Sequence, residues 1–225
     1  MRPSFLFKSF LMLPLLFLLL SFVESPFISM TYIYGYSNTI VVGTVTNGNQ
    51  DQVAFSSFES VDKGFWTYTG ANSGGATDPG RTGQYYYTLS NGNISRTGLQ
   101  AGRYTLSYWA QGGSASVSGT NFTSLGLSTQ LVINGWTCYV QTINLSANGS
   151  SITLSGSGKI DELRLHPFDA VMTTATYDPM VGKTSETDAN NSTLYYEYDD
   201  FNRLKCIKDQ SGNIRQSFVY HYQNQ

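Results

Sequence analysis

Charged residues are scarce in this sequence. Lys, Arg, Asp and Glu make up 12% of its 225 residues, whereas about a quarter of an ordinary soluble domain is charged. This low charge argues against a coiled coil and against a charge-rich disordered tail. The formal net charge is −2, so the sequence offers no basic surface for nucleic acid.

Cysteine and histidine are also rare, with two of each. Two Cys are too few for a disulfide scaffold or a zinc site. Cys138 and Cys206 fall in different segments, and we predict two separate thiols, each at least partly buried. The sequence has no Gly-x-Ser-x-Gly elbow of the kind that presents a nucleophilic serine. We therefore predict no catalytic residues.

Aromatic residues and glycine are plentiful, with 16 Tyr, 13 Phe and 22 Gly. Short β-prone runs recur between residues 53 and 165 with turn residues between them. No amphipathic helix pattern interrupts them, and about eight such strands are typical of a β-sandwich or jelly roll. In the run 104–110 (YTLSYWA), alternation places Tyr104 and Tyr108 in the core and Trp109 on the opposite face.

The N-terminal segment has the pattern of a targeting sequence. Arg2 and Lys8 precede an apolar run from Phe10 to Val23, which is the length of a signal-peptide core rather than of a membrane span. We predict that residues 1–25 are a secretory signal. The alternatives are an uncleaved anchor and a start on a truncated gene. The protein is expected to be exported, secreted or attached to the cell surface.

Four segments carry a resemblance to a known family: 54–59 (AFSSFE), 64–66 (GFW), 104–110 (YTLSYWA) and 160–165 (IDELRL). Over residues 50–167 they resemble the galactose-binding-like jelly roll of carbohydrate-binding modules. The resemblance implies a glycan partner and a structural calcium ion held by Glu59 and Asp161. The alternative at these two residues is a hydrogen-bond clasp between the first and last strands.

Four aromatic residues are candidates for stacking on a sugar, since an exposed ring suits the C–H face of a pyranose. They are Trp66, Tyr86, Trp109 and Tyr139. The alternative for each is a place in the hydrophobic core. Glu162, beside Asp161 on one strand, is expected to point to the opposite face, which leaves no carboxylate pair for a glycosidase.

The C-terminal part contains a repeat. Tyr177-Asp178 recurs as Tyr198-Asp199 after 21 residues, and Asp209 follows Asp188 at the same spacing. This period predicts stacked β-hairpins over residues 168–225. The second unit resembles the YD repeat of rearrangement-hotspot shell proteins, with Asn202 where that family prefers Gly, because Asn tolerates positive φ. Two such units lack neighbours on which to pack, so we expect them to be less stable than the sandwich.

The sequence thus predicts an all-β protein in which a jelly-roll sandwich is followed by YD-type hairpins. Residues 26–49, including the run 32–36 (YIYGY), are expected to form a divergent repeat strand and a linker. The predicted function is a non-enzymatic surface module that binds glycan. A structural piece of a larger β-shell or filament, of the toxin-delivery type, is the alternative. A secreted glycan-active enzyme is a third. Other YD-repeat segments or surface proteins are the expected protein partners.

Overall fold

The computed structural model describes residues 28–221. The predicted signal segment, residues 1–25, lies outside this range. The described chain is built from antiparallel strands and two short 3-10 turns, Gln50–Gln52 and Leu89–Asn91, which confirms the all-β prediction. Between residues 28 and 221, no helix is long and apolar enough to cross a membrane.

The strands are numbered in chain order. They are β1 Met30–Gly35, β2 Ile40–Thr46, β3 Ala54–Ser56, β4 Ser73–Gly74, β5 Tyr85–Thr88, β6 Ile94–Leu99, β7 Gly102–Gln111, β8 Ser116–Thr120, β9 Phe122–Ile133, β10 Trp136–Leu145, β11 Ser150–Ser155, β12 Lys159–Pro167, β13 Val171–Asp178, β14 Gly182–Thr187, β15 Thr193–Tyr198, β16 Leu204–Asp209 and β17 Ile214–Ser217.

One seven-stranded sheet joins the two ends of the described chain. Its order is β1-β2-β13-β14-β15-β16-β17, and we call it the meander. Strand β2 pairs with β13, for example Val45 with Met172, although β3 to β12 lie between them in sequence. The side-chain hydroxyl of Tyr36 fixes the same junction, because it donates to the Tyr177 carbonyl at 2.7 Å and accepts from the Tyr177 N–H at 2.8 Å.

Strands β3 to β12 form the sandwich. One of its sheets has the order β4-β5-β12-β7-β10-β9, with β3 also paired to β12, and the other has the order β6-β11-β8. A core of alternate apolar residues from both sheets fills the space between them, including Tyr104, Leu106 and Tyr108 from β7 and Ile152 and Leu154 from β11. Period-2 alternation therefore sorts β7 as its sequence predicts.

The larger sandwich sheet is covered on its second face as well. Trp109, Trp136, Cys138 and Tyr86 form a smaller buried cluster there, on the face that alternation assigns to Trp109. A third cluster joins the meander to β3, with members such as Val45 and Phe55. The meander thus packs against the sandwich.

Recurring aspartates close the meander hairpins and explain the 21-residue period. The Oδ1 atoms of Asp188, Asp199 and Asp209 each accept N–H groups from the residues two and four positions later, at 2.8 to 3.0 Å. Such side-chain caps are typical of tight turns. The fourth residue of two of these turns, Asn202 and Gly212, has φ of 58° and 86°. One turn follows every ten or eleven residues, so two turns give the period seen in the sequence.

The two cysteines are free and buried, as predicted. Cys138 lies beside Trp109 under the second face of the sandwich, and burial raises the pKa of its thiol to about 11. Cys206 lies on β16 of the meander. Cys138 therefore acts as a small apolar side chain.

Candidate functional site

Glu59 and Asp161 are brought to the same place by the loop between β4 and β5. The Glu59 Oε1 atom accepts hydrogen bonds from the backbone N–H groups of Gln84 at 2.9 Å and Tyr85 at 2.6 Å. Asp161 Oδ2 accepts the N–H of Thr82 at 2.9 Å. One loop therefore holds both carboxylates in a hydrogen-bond clasp. This clasp joins Glu59 and Asp161 to the β4–β5 segment, whereas the alternative predicted from the sequence joined the first strand to the last.

A β-bulge places three charged side chains of β12 on one face. The β12–β7 register shifts between Asp161 and Arg164, and Glu162 takes a left-handed φ of 50°, which costs a non-glycine residue about 1–2 kcal/mol. Thr82 contacts both acids, since its N–H binds Asp161 and its hydroxyl donates to Glu162 Oε1 at 2.9 Å. The expectation that Glu162 points away from Asp161 is therefore wrong, because the bulge breaks simple alternation.

Arg164 connects this face to the meander. Its guanidinium is 3.1 Å from Glu162 Oε2, and the two side chains are 2% and 1% exposed. It also donates to the carbonyl oxygens of Asp188 at 2.8 Å and Thr187 at 3.2 Å, and to the hydroxyl of Thr174. Its two Nη atoms thus satisfy a buried acid on the sandwich and backbone acceptors on the meander, whereas its Nε atom has no acceptor among residues 28–221.

Burial governs the ionisation of the acids. It raises the pKa of Glu59 to about 7, with a smaller contribution from the charge of Glu162. Burial also raises the pKa of Asp161 well above its ordinary value, and Glu162 again adds to the effect. Hydrogen bonds from the backbone act in the opposite direction at both residues.

The β4–β5 loop also brings carbonyl oxygens to these acids. A Cβ atom added to Gly80 would lie 2.2 Å from the carbonyl oxygen of Tyr85. The same point is 2.8 Å from Asp161 Oδ2 and 3.0 Å from the Thr82 carbonyl oxygen. Hard oxygen donors of this kind suit calcium. Residues 28–221 contain no group of three or more Asp, Glu, His or Cys side chains that could hold a metal, so an ion at Glu59 and Asp161 would depend on these carbonyl groups.

The four aromatic candidates do not form one exposed platform. Trp66 is 3% exposed in the sandwich core and donates from Nε1 to the Leu163 carbonyl at 3.3 Å. Tyr86 and Trp109 are 5% and 1% exposed and belong to the cluster on the other face. Tyr139 is half-buried and stacks on the core residue Tyr108, with ring centroids 5.5 Å apart. These positions match the core alternative.

A cavity lies where the sandwich meets the meander, and we call it the junction cavity. Its volume is about 680 Å³. The β4–β5 loop and Trp136 line it from the sandwich, and Tyr195, Tyr196 and Gln210 line it from the meander. A space of this size is within the range of small-molecule sites.

Arg81 in the wall of this cavity has no counterpart among the candidates chosen from the sequence. Its guanidinium carbon lies 4.3 Å from the centroid of Trp109 and 5.5 Å from that of Tyr195. The only signal in the sequence is the pair of glycines that flank it, Gly80 and Gly83, which allow the loop to approach the acids closely. A Cβ atom on Gly83 would lie 2.3 Å from Glu59 Cδ.

Comparison with protein-family models gives no match for this chain, and comparison with curated proteins also gives none.

Proposed function

We infer that the chain is a non-enzymatic structural module of an exported repeat protein, in which the meander is the framework and the sandwich supports it. The observation that carries this proposal is the pairing of β2 with β13, which makes the sandwich an insertion within one continuous sheet. The meander is of the YD-repeat type and the sandwich of the jelly-roll type in this proposal. Its partners are further repeat segments or surface proteins.

The contacts between the layers support a framework role. Arg164 crosses from the sandwich to the Asp188 turn, and the Tyr195 hydroxyl donates to the Arg81 carbonyl at 2.7 Å. In the same turn, Asn191 Oδ1 accepts a hydrogen bond from the hydroxyl of Ser107 on β7 at 3.3 Å. These contacts are buried or partly buried, so meander and sandwich stabilise each other.

Differential scanning calorimetry of the full chain tests this proposal. A framework with a shared core should unfold in one transition, with a calorimetric enthalpy equal to the van't Hoff enthalpy. Two separated transitions, one for the sandwich and one for the meander, would contradict it. Chromogenic glycosides and esters provide the parallel test for the enzyme alternative, and turnover of either substrate would refute the non-enzymatic assignment.

Glycan binding is the second candidate function. The junction cavity favours it, because aromatic rings and amide side chains line a space large enough for a sugar. Trp136 and Tyr195 are in its wall, so sugar titration followed by tryptophan fluorescence should report occupancy. A flat titration with every sugar tried would count against this function.

Calcium at Glu59 and Asp161 is the proposed cofactor of this module. An ion that binds only the folded chain, present at 100 times its dissociation constant, adds roughly 2.7 kcal/mol. The expected result is a lower melting temperature of the full chain in chelator than in calcium, and no such difference in Asp161→Asn. An unchanged melting temperature of the parent in chelator would leave the hydrogen-bond clasp as the whole role of these acids.

A further inference from the structure

The charges in the wall of the junction cavity are paired, with one exception. Asp78 binds Lys159 at 2.9 Å, Glu197 binds Lys208, and Asp209 binds Arg215 at 3.1 Å. Among residues 28–221, no carboxylate oxygen lies within 4.0 Å of the guanidinium nitrogens of Arg81. Within the described part of the chain, Arg81 is thus the one cation of the cavity wall outside an ion pair, and the charges of Asp161 and Glu162 act on it from a greater distance.

Two of the three guanidinium nitrogens of Arg81 also lack a hydrogen-bond acceptor among residues 28–221. The residue is 7% exposed, and its Nε and Nη2 atoms are buried without a hydrogen-bond partner. A buried donor that lacks an acceptor costs about 1–3 kcal/mol, and more when it is charged. Aromatic rings hold the guanidinium but accept no conventional hydrogen bond from it.

The neighbouring acids, Asp161 and Glu162, do not accept hydrogen bonds from Nε or Nη2 of Arg81. Glu162 is bound to Arg164, and Asp161 accepts backbone N–H groups through both oxygens. An arginine stays protonated under all ordinary conditions and matches the geometry of a carboxylate. An anionic acceptor in the cavity would complement Arg81, which is part of the cavity wall.

The rest of the wall indicates what would carry that acceptor. Aromatic and amide side chains surround the cavity: Trp136, Tyr195, Tyr196, Gln111, Asn134 and Gln210. Rings provide a surface for the C–H face of a sugar, and amides can both donate to and accept from hydroxyl groups. We propose that the junction cavity binds a saccharide of one or two rings that bears a carboxylate, and that Arg81 binds the carboxylate. This proposal rests on the second of the two functions above.

Calorimetric titration of the full chain with digalacturonate tests the assignment, with neutral digalactose and acetate as comparison probes. Digalacturonate should bind, and each comparison probe should bind at least roughly tenfold more weakly, as expected for loss of one charge-assisted contact or of the ring contacts. Arg81→Gln should weaken digalacturonate binding by a similar factor. Arg103→Gln is the matched control. Arg103 is an exposed arginine that also lies on an aromatic ring, with its guanidinium carbon 4.1 Å from the ring centroid of Phe168.

A second variant protects the test against misfolding of Arg81→Gln. Ser211 is exposed and lines the cavity, so Ser211→Trp should fill the entrance, abolish binding and leave the melting temperature unchanged. Failure of the parent to bind digalacturonate, equal binding by Ser211→Trp, or equal affinity for acetate would each overturn the proposal. A single unfolding transition combined with no digalacturonate binding would refute the cavity site and leave the framework function intact.

Discussion

Replacement of Arg164 by Met should separate the meander from the sandwich more effectively than any surface change. The Arg164–Glu162 pair is buried, with the two side chains 2% and 1% exposed. Removal of one partner of a buried pair costs about 3–5 kcal/mol, because the other charge remains without compensation. The carbonyl oxygens of Thr187 and Asp188 lose their donor in the same variant.

The destabilisation of Arg164→Met should appear as a lower melting temperature than that of the parent. For a folded unit of 150–250 residues, 1 kcal/mol changes the melting temperature by about 2–4 °C. Arg164→Met should therefore lower the melting temperature by roughly 6–20 °C. Arg103→Met is the control, and loss of its exposed contact with Phe168 should cost about 0.5–1 kcal/mol.

A double-mutant cycle distinguishes the buried pair from general loss of packing. Glu162→Gln removes the charge and keeps an acceptor for the Thr82 hydroxyl. Because the double variant leaves no unpaired charge, its loss should be smaller than the sum of the two single losses. Hydrogen exchange in β14 and β15 should accelerate in Arg164→Met. Additive losses would show that Arg164 and Glu162 are not coupled, and unchanged exchange in β14 and β15 would show that Arg164 does not hold the two layers together.

Three further predictions concern the acid limb, the clasp and the meander. Burial lowers the pKa of His166, so the unfolded chain binds the proton more readily than the folded chain. The free energy of unfolding should therefore fall as the pH drops below about 6.5. In thermal unfolding, His166→Gln should remove the part of this acid destabilisation that comes from His166. Gly83→Ala should destabilise the chain more than Gly98→Ala, since both have positive φ but only the first Cβ would meet Glu59; equal melting temperatures would dismiss the clasp. Hydrogen exchange should be slow in β13 to β15, which cover the sandwich, and faster in β16 and β17; uniform exchange across the meander would refute this gradient.

Local pattern was sufficient to predict several features of the fold. Side-chain alternation in β7 assigned Trp109 to the face opposite the core, and the structure places it there. Asn202 was expected at a position of positive φ, and its φ is 58°. Each of these features depends on a short run of consecutive residues, so the sequence around the position contains the necessary information.

Strand β9 shows where local pattern fails. It runs from Phe122 to Ile133, although its first half contains no β-prone run of apolar residues. Thr, Ser and Gly are frequent in its first half, and most of its residues are exposed. As an edge strand it pairs with β10 on one side, so it needs neither a continuous apolar run nor strict alternation to remain in the sheet.

The candidate site at Glu59, Asp161 and Arg81 depends on contacts between segments that are far apart in the sequence, which no local pattern contains. The bulge at Glu162 is set by the register of β12 against β7, and it reverses the side on which one acid lies. The pairing of β2 with β13 joins segments separated by the entire sandwich. Arg81 becomes significant only when its loop packs between Trp109 and the meander residue Tyr195.

The insertion also changes what the meander hairpins require for stability. Two isolated hairpin units would be marginal in water, and the sequence alone therefore predicted a weak C-terminal region. The structure gives them a partner, because the turn that contains Asn191 contacts β7 and receives Arg164 through Asp188. The same meander strands that this packing stabilises form one wall of the junction cavity. A ligand bound there would touch both layers, so its binding should raise the unfolding temperature of the meander and the sandwich together.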